Sequence, residues 1–172
     1  INPEQLTRFI IFVSYCDIFK PYIQECLESI KNQNYNNYQI IIVNDGSNDI
    51  TFIENIINHI GHLNYKLINK VTNEGPASSK WEFINHIKTH KNIFSGRDVC
   101  VFIDGDDYLF SNKCLDVLNK TYNNNNCWLT VSDYKDDTNN TNIVKNFKNW
   151  YDHKKNNLRN HEVYNGFNYP HL

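Results

Sequence analysis

Three carboxylates and a glycine close the stretch Asp98-Val-Cys-Val-Phe-Ile-Asp104-Gly-Asp106-Asp107. The unbroken apolar run of residues 99–103 predicts a strand buried on both faces, and the acidic cluster falls where that strand must stop. Like charges this close repel one another, so a folded chain tolerates them best where a cation sits among them or water reaches them freely. An Asp-Gly pair is also an ordinary acidic turn, and this segment alone leaves both readings open. Two further polar clusters follow apolar runs: Ser14-Tyr15-Cys16-Asp17 and Asn44-Asp45-Gly46-Ser47-Asn48-Asp49. The stretch Asn73-Glu-Gly75-Pro-Ala-Ser-Ser-Lys80 sets small residues ahead of a helical pattern. There the backbone can approach a ligand closely and helix amides favour an anion, although a plain Gly-Pro turn and helix cap explains the segment equally well.

The elements that must carry these clusters alternate regularly. Apolar, β-branched runs at 9–13, 39–43, 65–68, 99–103 and 128–132 predict strands. Helical spacing appears in four segments between them: Tyr22, Ile23, Cys26, Leu27 and Ile30 after Pro21; Phe52, Ile53, Ile56, Ile57 and Ile60 before Gly61; Trp81, Ile84 and Ile87; and Cys114, Leu115, Val117 and Leu118 within 113–122. Strand and helix in alternation give a mostly parallel sheet with helices on both faces, an α/β fold. Parallel strands would bring the clusters around Asp17, Asp45 and Asp104 to one edge, where open α/β sheets bind their ligands. One acidic turn is unremarkable, but three converging beside a small-residue loop point to a binding site.

Composition limits the alternatives. A chain of 172 residues that is 40% hydrophobic and 14% aromatic can build one domain with a real core. Its periodicity fades after about residue 134, which predicts an α/β part at 1–134 and an irregular, aromatic-rich tail at 135–172. The net charge of −2 and the lack of a basic run argue against a nucleic-acid groove or an electrostatic membrane anchor, and no run approaches a membrane span. Five widely spaced cysteines without a C-x-x-C pair read as small hydrophobes in a reducing compartment, the cytoplasm or, for a virus, the host cytoplasm or virus factory, with the ER lumen as the alternative. The abundance of Asn and the single Ala are what an AT-rich genome writes, such as that of a giant virus or some protists. The chain contains no Met, which suggests a piece of something longer, and its two glycosylation sequons, at Asn119 and Asn139, are expected by chance in so Asn-rich a chain.

In this order and spacing the motifs resemble family 2 glycosyltransferases of the GT-A fold. Val13-Ser-Tyr15 followed by residues 21–30 is similar to that family's first strand and helix. Residues 39–49 resemble its strand ending in D-D-G-S-x-D, residues 73–80 its N-x-G-x-x-x-A-R, and Asp104-Gly-Asp106 its D-x-D. The match covers roughly the first 134 residues. The resemblance implies a nucleotide-sugar donor, usually uridine-linked, an acceptor that the sequence does not identify, and Mn2+ or Mg2+ as cofactor. It implies Asp106 as metal ligand, with Asp104 at the ribose or sharing the metal. Asp45 would accept a hydrogen bond from the base, and the Tyr15 ring would lie along it. Ser14, Ser47, Asn73, Gly75 and Lys80 complete the implied donor set, Lys80 standing where the family has Arg and so offering a point charge in place of a bidentate fork.

The family's acceptor base normally follows the last strand seen here. The downstream carboxylates Asp133, Asp136, Asp137 and Glu162 match no such motif, so no catalytic base is assigned. Two other readings stand beside this one: a non-catalytic module that binds nucleotide sugar or a partner, and a nucleotidyltransferase. The latter should carry glycine and basic residues directly after its first strand, and Ser14-Tyr-Cys-Asp17 has neither.

Overall fold

The computed structural model describes residues 6–124, 129 and 130. The chain divides into two units, Ile1–Cys127 and Trp128–Leu172, and the first contains all the elements described below. Of the expected strand at 128–132 only Leu129 and Thr130 are described, and the tail at 135–172 lies outside the described residues.

Four strands, β1 (Phe9–Tyr15), β2 (Tyr38–Asp45), β3 (Tyr65–Lys70) and β4 (Val99–Ile103), form one parallel sheet in the order β3-β2-β1-β4. Helices α1 (Ile23–Lys31), α2 (Ile50–Ile60), α3 (Pro76–Thr89) and α4 (Cys114–Asn124) alternate with them, and a short 3-10 turn, Asp17–Phe19, follows β1. Every residue of β1 is buried, because alternate side chains enter two different cores. Phe9, Ile11, Val13 and Tyr15 pack with α1, α2 and α4 through residues such as Leu27, Ile53 and Leu115. Ile10 and Phe12 face the other way, toward Phe83 of α3 and Phe94. Each such aliphatic or aromatic side chain removed from water contributes roughly 1.5–3 kcal/mol. The expected α/β architecture with helices on both faces is what the chain adopts.

Three details differ from the sequence reading. β4 is not buried on both faces: Ile103 is its one buried residue and Phe102 is 47% exposed. Among the described residues β4 pairs only with β1 and so forms an edge. On α3 the inward positions are Ser79 and Phe83, whereas Trp81 is exposed. The helix begins at Pro76, and that phase turns Trp81 outward. Tyr22 likewise lies before the first turn of α1 and is exposed. Asn119 is almost fully buried, and its Oδ1 accepts from the Thr7 amide and the Tyr35 hydroxyl, so the sequon there is a chance match.

The turn after β2 depends on Gly46. Its φ of +72° lies in the left-handed region, and a Cβ there would stand 2.2 Å from the Asn73 amide nitrogen. Gly61, at the end of α2, has a similar φ of +66°, but its nearest obstacle to a Cβ is 3.9 Å away. Comparison of the two alanine variants therefore separates backbone strain from collision. Gly61→Ala should lower stability by about 1 kcal/mol, and Gly46→Ala by roughly 3 kcal/mol or more, as read by urea denaturation.

Candidate functional site

The strand order makes the chain leave β1 toward β2 and β3 on one side and return through β4 on the other. The carboxyl ends of β1 and β4 therefore lie at a topological switch point, the place where open α/β sheets hold ligands. Here Ser14 Oγ donates to Asp104 Oδ1 at 3.1 Å. Gly105 lies tight against β1: a Cβ at that position would be 2.3 Å from the Ser14 carbonyl oxygen. The Asp107 amide donates back to the Asp104 carbonyl at 2.9 Å and closes the acidic turn. From α3, Lys80 Nζ approaches Asp104 Oδ1 to 3.7 Å, with both side chains partly exposed.

Three carboxylates thus share one nearby ammonium. Partial burial, and then repulsion by Asp106 and Asp104, raise the pKa of the Asp107 carboxyl against the smaller opposing pull of Lys80. Beneath the turn, Cys26 Sγ is 3.9 Å from the Asp104 carbonyl oxygen, and burial, helped by the three negative charges, pushes its thiol up to about 12. The cysteine is inert packing. The donor set of hard oxygens with excess negative charge fits a divalent cation. Among the described residues no three His, Cys, Asp or Glu side chains are already gathered around a common metal position.

A second cluster lies at the end of β2. Asp45 Oδ1 accepts from Lys70 Nζ at 2.5 Å and from the Glu74 amide at 3.0 Å, and Oδ2 accepts from the Gly75 amide at 2.8 Å. Both charged side chains are about nine-tenths buried, Lys70 being 10% and Asp45 8% exposed. Burial opposes ionisation of Asp45, but the ammonium and the two amides outweigh it, so its pKa is lowered. Behind it, Asn44 is fully buried; its Oδ1 accepts from the Ser47 amide and its Nδ2 donates to the Ser47 carbonyl and Asn69 Oδ1.

A third cluster joins the turns after β1 and β2. Ser47 Oγ donates to Asp17 Oδ1, and Lys20 bridges Asp17 at 3.1 Å and Asp49 at 3.3 Å. Asp49 also caps α2 by accepting from the Phe52 amide.

Ser14, Lys80 and Asp104 therefore meet at the switch point, with Asp106 in the same turn. Asp45, Asn73 and Gly75 form the loop cluster, Asn73 Oδ1 accepting from the Gly75 amide at 3.2 Å. Ser47 belongs to the third cluster. The Tyr15 ring is fully buried and stacks on Phe52 at 6.4 Å, and Ser14 beside it is buried as well. Burial also raises the Tyr15 phenol. Asp133, Asp136, Asp137 and Glu162 lie outside the described residues.

Sequence reasoning did not single out Lys70, Glu74, Ser78 or Lys20. A signal for Lys70 was present, since a basic residue closing β3 falls in parallel register opposite the Asp that closes β2.

The glycosyl transferase family 2 model matches residues 9–171. Among curated proteins, the chain is 33% identical over 100 residues to an uncharacterised glycosyltransferase of Haemophilus influenzae, covering 57% of this chain and 36% of that protein. It is 32% identical over 106 residues to the putative glycosyltransferase EpsH of Bacillus subtilis, covering 56% and 26%. The chain thus spans about a quarter to a third of the length of these relatives. Among solved structures, Staphylococcus aureus TarS 1–349 in complex with UDP-GlcNAc superposes with a TM-score of 0.53 at 23% identity, covering 65% of this chain and 30% of that one. The mannosyltransferase PcManGT of Pyrobaculum calidifontis, in complex with GDP-Man and Mn2+, gives 0.55 at 17% identity over 67% and 32%. At these identities the superpositions show the shared fold.

The Asp45 cluster makes stability depend on pH in a defined direction. Because the folded-state pKa of Asp45 lies below its unfolded value of about 3.9, its contribution is full above that value and is lost as pH falls through the folded pKa. Asp45→Asn should lower stability by roughly 2–4 kcal/mol at neutral pH, because it removes the buried carboxylate opposite Lys70 and leaves the exposed, water-screened Glu74 to neutralise it. In urea denaturation from about pH 6 to about pH 2, the gap between wild type and variant should narrow toward the acid end.

Proposed function

Because the chain belongs to glycosyl transferase family 2, we propose that the carboxyl edge of its sheet binds a nucleotide-sugar donor, a UDP-sugar, with Mn2+ or Mg2+, and that the whole protein transfers the sugar to an acceptor. The observation that carries this reading is the meeting of Ser14, Lys80 and Asp104 at the β1–β4 switch point, beside the Asp106 and Asp107 carboxylates. Residues 1–134 would form the donor side and 135–172 would open the acceptor side. The four described cysteines, Cys16, Cys26, Cys100 and Cys114, are free thiols, which supports a reducing compartment.

Asp106 and Asp104 would hold the metal, whose chemistry is to neutralise the diphosphate as the glycosidic bond to it breaks. Ser14 donates to Asp104 Oδ1 and so restrains rotation of that carboxylate. Lys80 brings a cation to the same side, where diphosphate charge would gather.

Asp45 supports the choice of base. A carboxylate has about four lone-pair sites; Lys70 and Glu74 engage Oδ1 and Gly75 engages Oδ2, which leaves one lone-pair site on Oδ2 without a donor among the described residues. Uracil offers a ring N–H to such an acceptor, and guanine does also. Cytosine and adenine present a ring acceptor at that position, which would set lone pair against lone pair, and can donate to the carboxylate through the exocyclic amine alone. TarS with UDP-GlcNAc and PcManGT with GDP-Man both hold bases of the first kind.

Calorimetric titration tests the proposal. UDP should bind at least roughly tenfold more tightly with Mn2+ than without, and at least roughly tenfold more tightly than CDP. Binding that ignores the metal, or no binding of any nucleotide, would sink the reading; a preference for GDP would keep the site and change the base. Asp106→Asn should abolish the Mn2+ effect while the metal-free melting temperature stays equal or rises, because one like charge has left the cluster.

A further inference from the structure

We propose that Lys70 is a positioning residue of this site: its ammonium ties the end of β2, the loop at 71–75 and the first turn of α3 to one point, and so holds Asp45 and Lys80 where they meet a nucleotide. The inference rests on the nucleotide reading above and adds to it a residue that lies in none of the motifs.

An ammonium has three N–H donors, and Lys70 has three oxygen partners on three segments. These are Asp45 Oδ1 at 2.5 Å, Glu74 Oε2 at 3.0 Å and Ser78 Oγ at 2.9 Å. Ser78 Oγ in turn donates to Glu74 Oε2 at 2.7 Å, so the loop and the helix are also joined to each other. The Lys70 side chain is 10% exposed, unlike that of an ordinary surface lysine. Lys66, four residues earlier on the same strand, is exposed.

The loop has little else to hold it. Residues 71–74 are exposed, Val71 at 94%, so apolar burial does not place them. Their position is set by the contact of Gly46 with the backbone at Thr72 and Asn73, and by the polar bonds that converge on Asp45 and Lys70. Segments held by few buried contacts open locally at low free energy. Lys80 lies five residues past Gly75 on the helix that this loop launches, so displacement of the first turn would carry Lys80 away from Asp104. Without the Lys70 bond, the Asp45 carboxylate would be oriented by the Glu74 and Gly75 amides, which belong to the same exposed loop and would move with it.

The test compares Lys70→Met, Lys70→Arg and wild type in the 172-residue chain, using amide hydrogen exchange and calorimetric titration with UDP and CDP in the presence of Mn2+. In Lys70→Met the Glu74 and Gly75 amides should exchange at least about tenfold faster while β1 amides keep their protection. UDP affinity should fall at least about tenfold with a smaller loss for CDP, so that base preference narrows. Lys70→Arg, which retains the charge and reach, should restore most of both properties. A Lys70→Met protein with wild-type exchange at Glu74 and Gly75, or with unchanged UDP affinity and preference, would overturn the proposal. Equal loss for UDP and CDP would also overturn it, because that pattern marks general destabilisation. Should Lys70→Met fail to fold, Ser78→Ala and Glu74→Gln remove the two outer partners; both should move exchange and base preference in the same direction, and no movement in either would overturn the proposal. If wild type binds no nucleotide, the donor-site reading fails, and with it the affinity half of the proposal, while the exchange data still decide whether Lys70 holds the loop.

Discussion

Parallel strands deliver their carboxyl ends to one edge, and in this chain those ends are acidic. That edge must be supplied with cations, and much of the local structure follows from how this is done. Asp45 takes Lys70 from the neighbouring strand, Asp17 and Asp49 share Lys20, and Asp104 shares the reach of Lys80 from α3. Asp106 and Asp107 extend the cluster at Asp104 without a lysine of their own among the described residues, and partial desolvation followed by the acidic neighbours raises the pKa of Asp107. The pairs differ in kind. Asp45–Lys70 is buried and joined by backbone amides, which makes it rigid, whereas the Asp104–Lys80 contact is longer and open to solvent. Screening by water leaves the open pair weak, and it can be exchanged for contacts to a ligand.

Much of this was legible from residue types. A continuous apolar run such as 9–13 reads as a strand covered on both sides, and the alternation of such runs with helical spacing leaves few topologies besides a parallel sheet. The clustering of acidic turns at one edge follows from that topology, and Ser14, Asp104 and Lys80 do come together there. Side-chain direction was less legible. The Tyr15 ring turns inward against Phe52 because it continues the alternation of Phe9, Ile11 and Val13 to the last residue of β1. The same apolar spelling describes β1 and β4, yet one is sandwiched and the other is an edge, because burial depends on strand order and not on composition. Trp81 illustrates the matching difficulty on a helix, where the phase is set by where the chain enters, here at Pro76.

The motif around Gly46 also gains a physical explanation. A glycine after an acidic residue is usually read as turn chemistry alone. Here the absent side chain also admits the Thr72–Asn73 backbone from the loop after β3, and Gly105 admits the Ser14 carbonyl in the same way. Both glycines lie where two strand ends approach more closely than a Cβ allows, so they set the spacing between the polar clusters as well as the direction of the chain. Both contacts are long-range, and no local property of either pentapeptide records them.

These features together explain why the edge divides into a fixed part and an adjustable part. The clamp at Asp45 combines a buried ion pair, two amide donors and a glycine contact, so that moving any one of them disturbs the others. The turn at Asp104 is anchored through its backbone and through Ser14, while the charges that act on Asp107 among the described residues are Asp106, Asp104 and Lys80. A site that must recognise one molecular part and neutralise another needs this division. Recognition of a planar ring edge requires an acceptor that cannot swing. Neutralisation of a diphosphate requires charges that are little paired beforehand, so in the donor site proposed above the end of β2 would serve the first purpose and the end of β4 the second.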